Sequence, residues 1–395
     1  MTRRLVVLGA TGSIGASALD VAAELGERIE VVGLSCHGSW RELAALAARW
    51  RPDAVAIADE AAGNEARAAG AFPDGVRVLV GAGGLVELAA GGEADTVLNG
   101  IVGAAGLEAT LAAIGAGRRV ALANKESLVV GGELVAAALG GSILESGMLL
   151  PVDSEHNAIW QLLAGRRTAE IRRIVLTASG GPFRGTPAAA LARVTPDQAL
   201  AHPTWDMGPK ISIDSATLAN KGLEVIEAHH LFGLPYDRID VVVHPQSVVH
   251  GLVEWTDGAL FAELGVPDMR APIRAALAWP ERAAGPPAAD LANLSALTFE
   301  APDLERFPAL GLARAAGEAG GTAPAVFNAA NEVAVELFLE RSIGFLEIAA
   351  LCERALDRHS PRPVDSLQTV LEADGWARRE TRSFGGSRSS AASRG

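Results

Sequence analysis

The stretch RLVVLGATGSIGASALDVAAEL (residues 4–25) joins a short β-branched apolar run to a glycine-rich loop and then to a segment with helical spacing. Apolar runs of the same kind recur at IEVVGLS (29–35), AVAIA (54–58), VRVLV (76–80), TVLNGIV (96–102) and RRVALAN (118–124). Ala/Leu-rich segments such as WRELAALAARW (40–50) lie between them. Strands that alternate with helices predict an α/β domain with a parallel, doubly wound, Rossmann-like sheet over residues 1–150.

The sequence pattern changes after this region. The runs IRRIVLTASGGPF (171–183), IDVVVHPQSVVHGLVEW (239–255) and ALFAELGV (259–266) read as strands, with a helix at SATLANKGLEVIEAHHLF (215–232). We therefore expect an α+β domain over 151–280. A proline-rich segment predicts a linker over 281–310, and helical spacing predicts a helical bundle over 311–376. The Ser/Gly/Arg-rich tail, 377–395, is expected to be disordered.

The overall composition argues against several classes of protein. A formal net charge of −13 disfavours a nucleic-acid partner. No apolar run reaches the length of a membrane helix, and the N-terminal one is too short for a secretory signal. Cys36 and Cys352 make neither a disulfide framework nor a metal-ligand spacing, which suits a reducing cytoplasm.

The loop GATGSIG (9–15) follows the first predicted strand and opens the first predicted helix. Its glycines allow a tight turn and a close approach of the backbone to a pyrophosphate at the helix N-terminus. Thr11 and Ser13 add hydroxyl donors. A plain helix start is the alternative, but the position of the loop favours a dinucleotide site.

The end of the second predicted strand indicates which dinucleotide binds. NAD sites commonly carry an acid about 20 residues after the glycines. Here His37, Gly38 and Ser39 occupy that region. A 2′-phosphate is tolerated there, with Ser39 and Arg41 as candidate donors, so we expect NADPH.

Three further stretches place polar residues at predicted element ends: ANKES (123–127), TASGGPF (177–183) and SIDSATLANKGLEVIE (212–227). In the second, Ser179 stands beside two glycines, so a hydroxyl and backbone N–H groups can face an anion. In the third, Ser215 lies near the predicted helix start, and Asn220 and Glu224 are one turn apart on one face, with Lys221 beside them. An N-capped helix with a solvent-facing Lys–Glu pair is the plain alternative. Ser179, Ser215, Asn220 and Lys221 together predict a phosphate site, and the first stretch ends a strand at the carboxyl edge of the first sheet, where ligands bind in such folds.

The run LPVDSEHNAIWQ (150–161) holds Asp153 and Glu155 in an apolar setting. Buried carboxylates are costly unless they are paired, hydrogen-bonded or bound to a metal, although a turn whose acids face water would also explain them. If the chain is extended here, both side chains point to the same side, and Glu224 could add a third ligand. Three carboxylates predict a site for Mg²⁺ or Mn²⁺.

The segment HPTWDMGPK (202–210) places Trp205 and Met207 in a loop flanked by proline and glycine. A loop packed onto the core is the alternative interpretation. We favour a lid that closes over a substrate, excludes water and brings His202 to it.

Taken together, GATGSIG, LANKESLV, PVDSEHNAIWQ, LTASGGPF, HPTWDMGPKISIDSATLANKGLEVIEA, HPQSVVH and NAANEVAV resemble the 1-deoxy-D-xylulose 5-phosphate reductoisomerase family, in family order. The resemblance runs from about residue 4 to about residue 375. It implies an NADPH domain, a central catalytic domain that also forms a homodimer, a linker and a C-terminal helical bundle.

The resemblance also implies roles for individual residues. Metal ligands would be Asp153, Glu155 and Glu224. Substrate contacts would come from Lys125, Ser154, Glu155, Ser179, His202, Ser215, Asn220 and Lys221, and catalysis from the three acids with Lys125 and His202. Nucleotide contacts would come from Thr11, Gly12, Ser13, Ile14, Asn124, Glu126 and Gly208. Some members carry Gly-Lys-Asn, with the lysine near the 2′-phosphate, where this chain has His37, Gly38 and Ser39.

The implied reaction is a metal- and NADPH-dependent rearrangement and reduction of 1-deoxy-D-xylulose 5-phosphate to 2-C-methyl-D-erythritol 4-phosphate. Two alternatives compete with it. A metal-free NADP-dependent dehydrogenase of another small aldehyde would have no use for the three acids. A non-catalytic nucleotide sensor would leave Ser179 and Lys221 unexplained.

Overall fold

Seven strands form the N-terminal sheet of the computed structural model, which describes residues 2–201, 207–287, 290, 292–294 and 296–392. They are β1 (Arg3–Leu8), β2 (Ile29–Cys36), β3 (Ala54–Ile57), β4 (Arg77–Val80), β5 (Thr96–Asn99), β6 (Arg119–Leu122) and β7 (Leu149–Pro151). Their order is β4-β3-β2-β1-β5-β6-β7, and every neighbouring pair is parallel. The strand order reverses beside β1, which confirms the predicted doubly wound, Rossmann-like sheet.

Helices follow the strands in alternation. They are α1 (Ser13–Leu25), α2 (Trp40–Trp50), α3 (Glu60–Ala68), α4 (Gly81–Ala90), α5 (Gly106–Gly115), α6 (Lys125–Ala138) and α7 (Ile143–Ser146). Leu5, Val7 and Leu8 of β1 are all fully buried, as expected for a central parallel strand.

A second sheet has four strands: β8 (Ile171–Ala178), β9 (Ile239–Val243), β10 (Val249–Trp255) and β11 (Leu260–Leu264). The order is β11-β10-β8-β9, with β8 and β9 parallel and the other pairs antiparallel. The helices in this part of the chain are α8 (Ser154–Leu163), α9 (Ala188–Leu191), α10 (Pro196–Leu200), α11 (Pro209–Thr217), α12 (Ala219–Phe232) and α13 (Arg270–Ala278). The mixed sheet confirms the predicted α+β region.

The C-terminal region is helical, as predicted. Its helices are α14 (Ala309–Ala319), α15 (Ala323–Leu339), α16 (Phe345–Asp357) and α17 (Leu367–Ala392). Helix α15 is buried on nearly all sides, with Val326, Phe327 and Asn331 fully inaccessible. No helix in the described part of the chain is both long and apolar enough to cross a bilayer.

The chain divides into two compact units. The first contains residues 1–127, 135–157 and 268–287, and the second contains 128–134, 158–267 and 288–395. The sequence-based division at 150, 280, 310 and 376 stays a prediction.

Three local features differ from the sequence-based expectations. Residues after Asp153 are helical, because the Asp153 carbonyl accepts the Asn157 N–H (2.8 Å), so Asp153 and Glu155 do not lie on an extended chain. Ser215 lies near the end of α11, not at a helix start, because Leu218 (φ +62°) separates α11 from α12. Helix α17 also extends into the predicted disordered tail, where Phe384 is 7% exposed.

Candidate active-site residues

The glycine loop between β1 and α1 is held by hydrogen bonds within the loop and to the end of β2. The Gly12 N–H donates to the Gly9 carbonyl (3.0 Å), and the Gly9 N–H donates to Ser35 Oγ (3.1 Å). Gly9 has φ +77°, and a Cβ there would lie 2.8 Å from the Gly100 oxygen, so only glycine fits. Gly12 and Ser13 are exposed at the start of α1. The loop has the form of a phosphate-binding helix N-terminus.

The residues after β2 are open to solvent at the carboxyl edge of the sheet. His37 and Ser39 are exposed, and Gly38 lies between them. Arg41, a candidate donor to a 2′-phosphate, makes a surface ion pair with Glu65 (2.8 Å) and lies 4.1 Å from the centre of the Trp40 ring.

The ANKES segment follows β6 and forms a buried polar cluster. The Asn124 amide donates to the Gly103 carbonyl (2.8 Å) and to Glu126 (2.9 Å), and Ser127 donates to Asn124. Lys125 forms an ion pair with Asp153, and their side chains are only 8% and 10% exposed. Burial of this pair strengthens the coupling between the two charges.

Helix α8 determines how the predicted acids are arranged. Asp153 immediately precedes the first turn of α8, and His156 lies in that turn. Their possible metal-ligating atoms lie within 4.8 Å of each other. Glu155 accepts a hydrogen bond from Ser154. His156 was not among the residues predicted from the sequence; Asp–x–x–His spacing in a helix was the signal that could have identified it.

In the second unit, the end of β8 meets the end of α11. Ser179 Oγ and Ser215 Oγ are 3.4 Å apart, and the Gly181 N–H donates to Ser179 Oγ (3.2 Å). Gly181 has φ +65°, and a Cβ there would lie 2.7 Å from the Ser215 carbonyl oxygen. The glycine therefore permits the close approach that places the two hydroxyls side by side.

The predicted one-turn relation on α12 is observed. The Asn220 amide donates to Glu224 (2.5 Å), and Lys221 pairs with the other oxygen of Glu224. The side chains of Lys221 and Glu224 are 4% and 1% exposed, so this is a buried pair and not the solvent-facing pair of the plain alternative. Burial lowers the pKa of the His250 imidazole; the Glu263 carboxylate opposes this shift, and the Lys221 ammonium adds to it.

The predicted lid is only partly within the described residues. His202 and Trp205 lie outside them. Met207 lies just before α11, where its carbonyl accepts a hydrogen bond from Ser212 (3.4 Å), and Gly208 is the N-cap of α11.

A further buried group, Asp214 on α11, was not identified from the sequence. Lys210 Nζ lies 2.7 Å from Asp214 Oδ2, and the Asn331 amide donates to Oδ1 (2.7 Å). The Lys210–Asp214 spacing of four was visible in the sequence, but the contact with Asn331, 117 residues away, was not.

The chain is similar to known proteins over nearly its whole length. The family model for 1-deoxy-D-xylulose 5-phosphate reductoisomerase matches residues 5–132, and two models for the C-terminal domain of that enzyme match 149–232 and 264–380. The reductoisomerase of Chlorobium chlorochromatii is 53% identical over 384 residues, which are 97% of this chain and 99% of the relative. That of Xanthomonas euvesicatoria is 54% identical, with 96% of each chain covered.

Solved structures agree with the sequence relatives. The Zymomonas mobilis reductoisomerase in complex with NADPH has a TM-score of 0.89 and 47% identity, covering 98% of this chain and 99% of that one. A reductoisomerase in complex with NADPH, fosmidomycin and magnesium has a TM-score of 0.90 and 40% identity, covering 96% and 98%.

Proposed function

The chain belongs to the 1-deoxy-D-xylulose 5-phosphate reductoisomerase family, and from that premise we propose how its residues carry out the family reaction. The protein converts 1-deoxy-D-xylulose 5-phosphate to 2-C-methyl-D-erythritol 4-phosphate. The reaction uses NADPH as reductant and requires a divalent cation. The observation that carries this assignment is the match to reductoisomerases across both compact units. A metal-free dehydrogenase and a nucleotide sensor are therefore set aside.

The chemistry of the donor set fits a hard divalent cation. Asp153 and Glu155 supply carboxylate oxygens at the start of α8, and Glu224 supplies a third from α12. We propose these three as the ligands of Mg²⁺ or Mn²⁺. When bound, the cation supplies Lewis-acid stabilisation of negative charge on the substrate oxygens. Lys125 and Lys221 balance the buried charge of Asp153 and Glu224.

The phosphate of the substrate is assigned to the polar set of the second unit. Ser179 and Ser215 offer adjacent hydroxyls, and Asn220 and Lys221 offer an amide and an ammonium group. Charge-assisted hydrogen bonds of this kind suit a phosphate dianion. Binding energy gained at the phosphate, which does not itself react, orients the substrate. Lys125, Ser154, Glu155 and His202 are proposed to contact the remainder of the sugar.

The nucleotide is assigned to the carboxyl edge of the parallel sheet. Thr11, Gly12, Ser13 and Ile14 would hold the pyrophosphate at the start of α1, with His37, Gly38 and Ser39 at the adenosine ribose. Asn124, Glu126 and Gly208 complete the proposed contacts. When bound, NADPH supplies the hydride. Trp205 and Met207 are proposed to cover the site and exclude water.

We also propose a homodimer formed through the central region, in the cytoplasm. Strand β11 is an edge strand that leaves Leu260 57%, Phe261 38% and Leu264 36% exposed. An apolar edge of this kind invites pairing with another chain. Sedimentation velocity should give twice the chain mass, and a monomer at micromolar concentration would contradict the proposal.

The test of the function follows NADPH absorbance with purified protein and 1-deoxy-D-xylulose 5-phosphate. Oxidation should require the sugar phosphate, stop with a chelator and return with Mg²⁺ or Mn²⁺. Oxidation that is indifferent to chelation would remove the metal assignment of Asp153, Glu155 and Glu224. Folded protein that oxidises no NADPH would contradict the function.

A further inference from the structure

Helix α11 carries a buried carboxylate that the proposed substrate and metal contacts do not use. Asp214 is 1% exposed, and each of its oxygens has a different partner. Lys210, one turn earlier on α11, pairs with Oδ2 at 2.7 Å. Asn331, on α15, donates to Oδ1 at 2.7 Å. One carboxylate therefore fixes α11 internally and connects it to a second helix.

The two ends of α11 explain why this connection matters. Gly208 is the N-cap at one end, and Ser215 lies near the opposite end beside Ser179. Asp214 is the residue directly before Ser215. A shift of α11 relative to α15 would therefore move the Ser215 hydroxyl away from Ser179, and a displacement of about 1 Å can cost two orders of magnitude in rate.

The polar partners of Asp214 indicate that its role is to orient α11 more than to stabilise the fold. Burial of a charged group is unfavourable unless it is paired and hydrogen-bonded, and well-packed apolar residues are often at least as stable in its place. Asn331 is fully buried on α15, and its amide donates to this carboxylate. A directional hydrogen bond fixes both the register and the rotation of α11, which apolar packing alone does less well.

We propose that Asp214 is a positioning residue of the substrate site, which holds Ser215 in place through its hydrogen bond to Asn331. The proposal rests on the proposed function, because Ser215 is assigned there to the substrate phosphate. Asp214 itself takes no part in the chemistry.

The test uses Asp214→Asn and Asn331→Leu in the full chain. In Asp214→Asn, an amide replaces one of two acceptor oxygens and faces the Lys210 ammonium with a donor. Each variant should raise KM for 1-deoxy-D-xylulose 5-phosphate about tenfold. A displaced Ser215 hydroxyl would lose its proposed hydrogen bond to the phosphate, which is a charged group. The Kd for NADPH should change much less than KM, because Gly208 is the one proposed nucleotide contact at α11 and the glycine loop before α1 is untouched.

The matched control is Asn328→Leu, which removes another fully buried asparagine from α15. Asn328 donates to Glu332 (3.0 Å) on the same helix and makes no contact with α11 through that bond. It should lower Tm without changing KM. If Asp214 had a merely structural role, Asp214→Asn, Asn331→Leu and Asn328→Leu would all lower Tm. None of them would change KM at a temperature where the variant is folded. That result would overturn the proposal.

An exchange variant tests the hydrogen bond directly. Asp214→Asn combined with Asn331→Asp keeps one amide–carboxylate bond between α11 and α15, and KM should return towards the wild-type value. An exchange variant as impaired as Asp214→Asn would contradict the proposal. If Asp214→Asn does not fold, Asn331→Leu decides the question alone. Failure of the function itself is separate, because the wild-type chain would then show no turnover.

Discussion

Glu224 is buried on α12 between the Asn220 amide and the Lys221 ammonium. Each of its two oxygens therefore accepts a hydrogen bond, an arrangement that favours the carboxylate over its amide isostere. Removal of the negative charge changes the site electrostatically while the shape of the side chain is kept. This makes Glu224 the most informative single residue for the metal assignment.

We expect Glu224→Gln to lower kcat at least about a hundredfold, because a metal ligand carries several kcal/mol of transition-state stabilisation. The Kd for NADPH should be unaffected. Steady-state kinetics and nucleotide titration check both statements. Glu227→Gln is the matched control, an equally buried glutamate (1% exposed) on the same helix, and it should keep most of the turnover. Near wild-type activity in Glu224→Gln would remove Glu224 from the metal site.

Single polar residues could be predicted from the sequence where they interrupt or follow the local strand or helix pattern. Ser179 stands between a strand and two glycines, and Asn220 and Glu224 have helical spacing, so sequence alone identified them. Asp214 was different, because its partner Asn331 comes from a helix 117 residues further on. A tertiary hydrogen bond of this kind leaves no periodic signal in the sequence.

At the scale of elements, the turn after β8 sets the distance between a strand and a helix. Gly180 (φ +81°) and Gly181 (φ +65°) both adopt the left-handed region, and Gly181 lies against the backbone of α11. The close approach of this turn to α11, and with it the proposed phosphate site, thus depends on the absence of a side chain.

We expect Gly181→Ala to reduce the free energy of unfolding by about 1–3 kcal/mol, because of the positive φ and the clash with the Ser215 carbonyl. KM for the sugar phosphate should rise in parallel. Thermal unfolding and steady-state kinetics measure the two effects. Gly185→Ala provides the control, since nothing lies within 4 Å of the added Cβ there. If both variants behave like the wild type, the turn does not set this spacing.

Elements were predicted best where a periodic pattern was long. Helix α2 was expected over 40–50 and is found at Trp40–Trp50. The break between α11 and α12 was missed, because Leu218 adopts φ +62° without the glycine or asparagine that usually marks such a position. The three-residue strand β7 was missed because its length gives too little pattern. The burial of Phe384 was hidden by the polar composition around it.

At the scale of the whole molecule, acid should destabilise the fold through His230. Burial lowers the pKa of this imidazole to about 4, and the neighbouring His229 adds to the effect. The folded chain thus favours the neutral ring, whereas the unfolded chain has a pKa near 6.5. The associated stability is present above pH 6.5 and is lost as the pH falls towards 4, by up to about 3 kcal/mol.

Urea unfolding at pH 7 and pH 4.5 tests this, with His230→Gln as the variant. The glutamine removes the titration, so the loss of stability between the two pH values should be smaller in the variant by about 2–3 kcal/mol. An equal loss in both proteins would show that other groups cause the acid sensitivity.

The order of strands in the first sheet has a consequence for folding and for truncation of the chain. Strand β1 precedes every other strand of this chain, yet it lies between β2 and β5 near the middle of the sheet. During synthesis one edge of β1 can pair only after Thr96–Asn99 has been made. Long-range pairing of this kind slows folding. An N-terminal deletion that reached Leu8 would therefore remove a central strand of the sheet and not an edge strand. It would leave two three-stranded sheets, β2 to β4 and β5 to β7, with no shared neighbour.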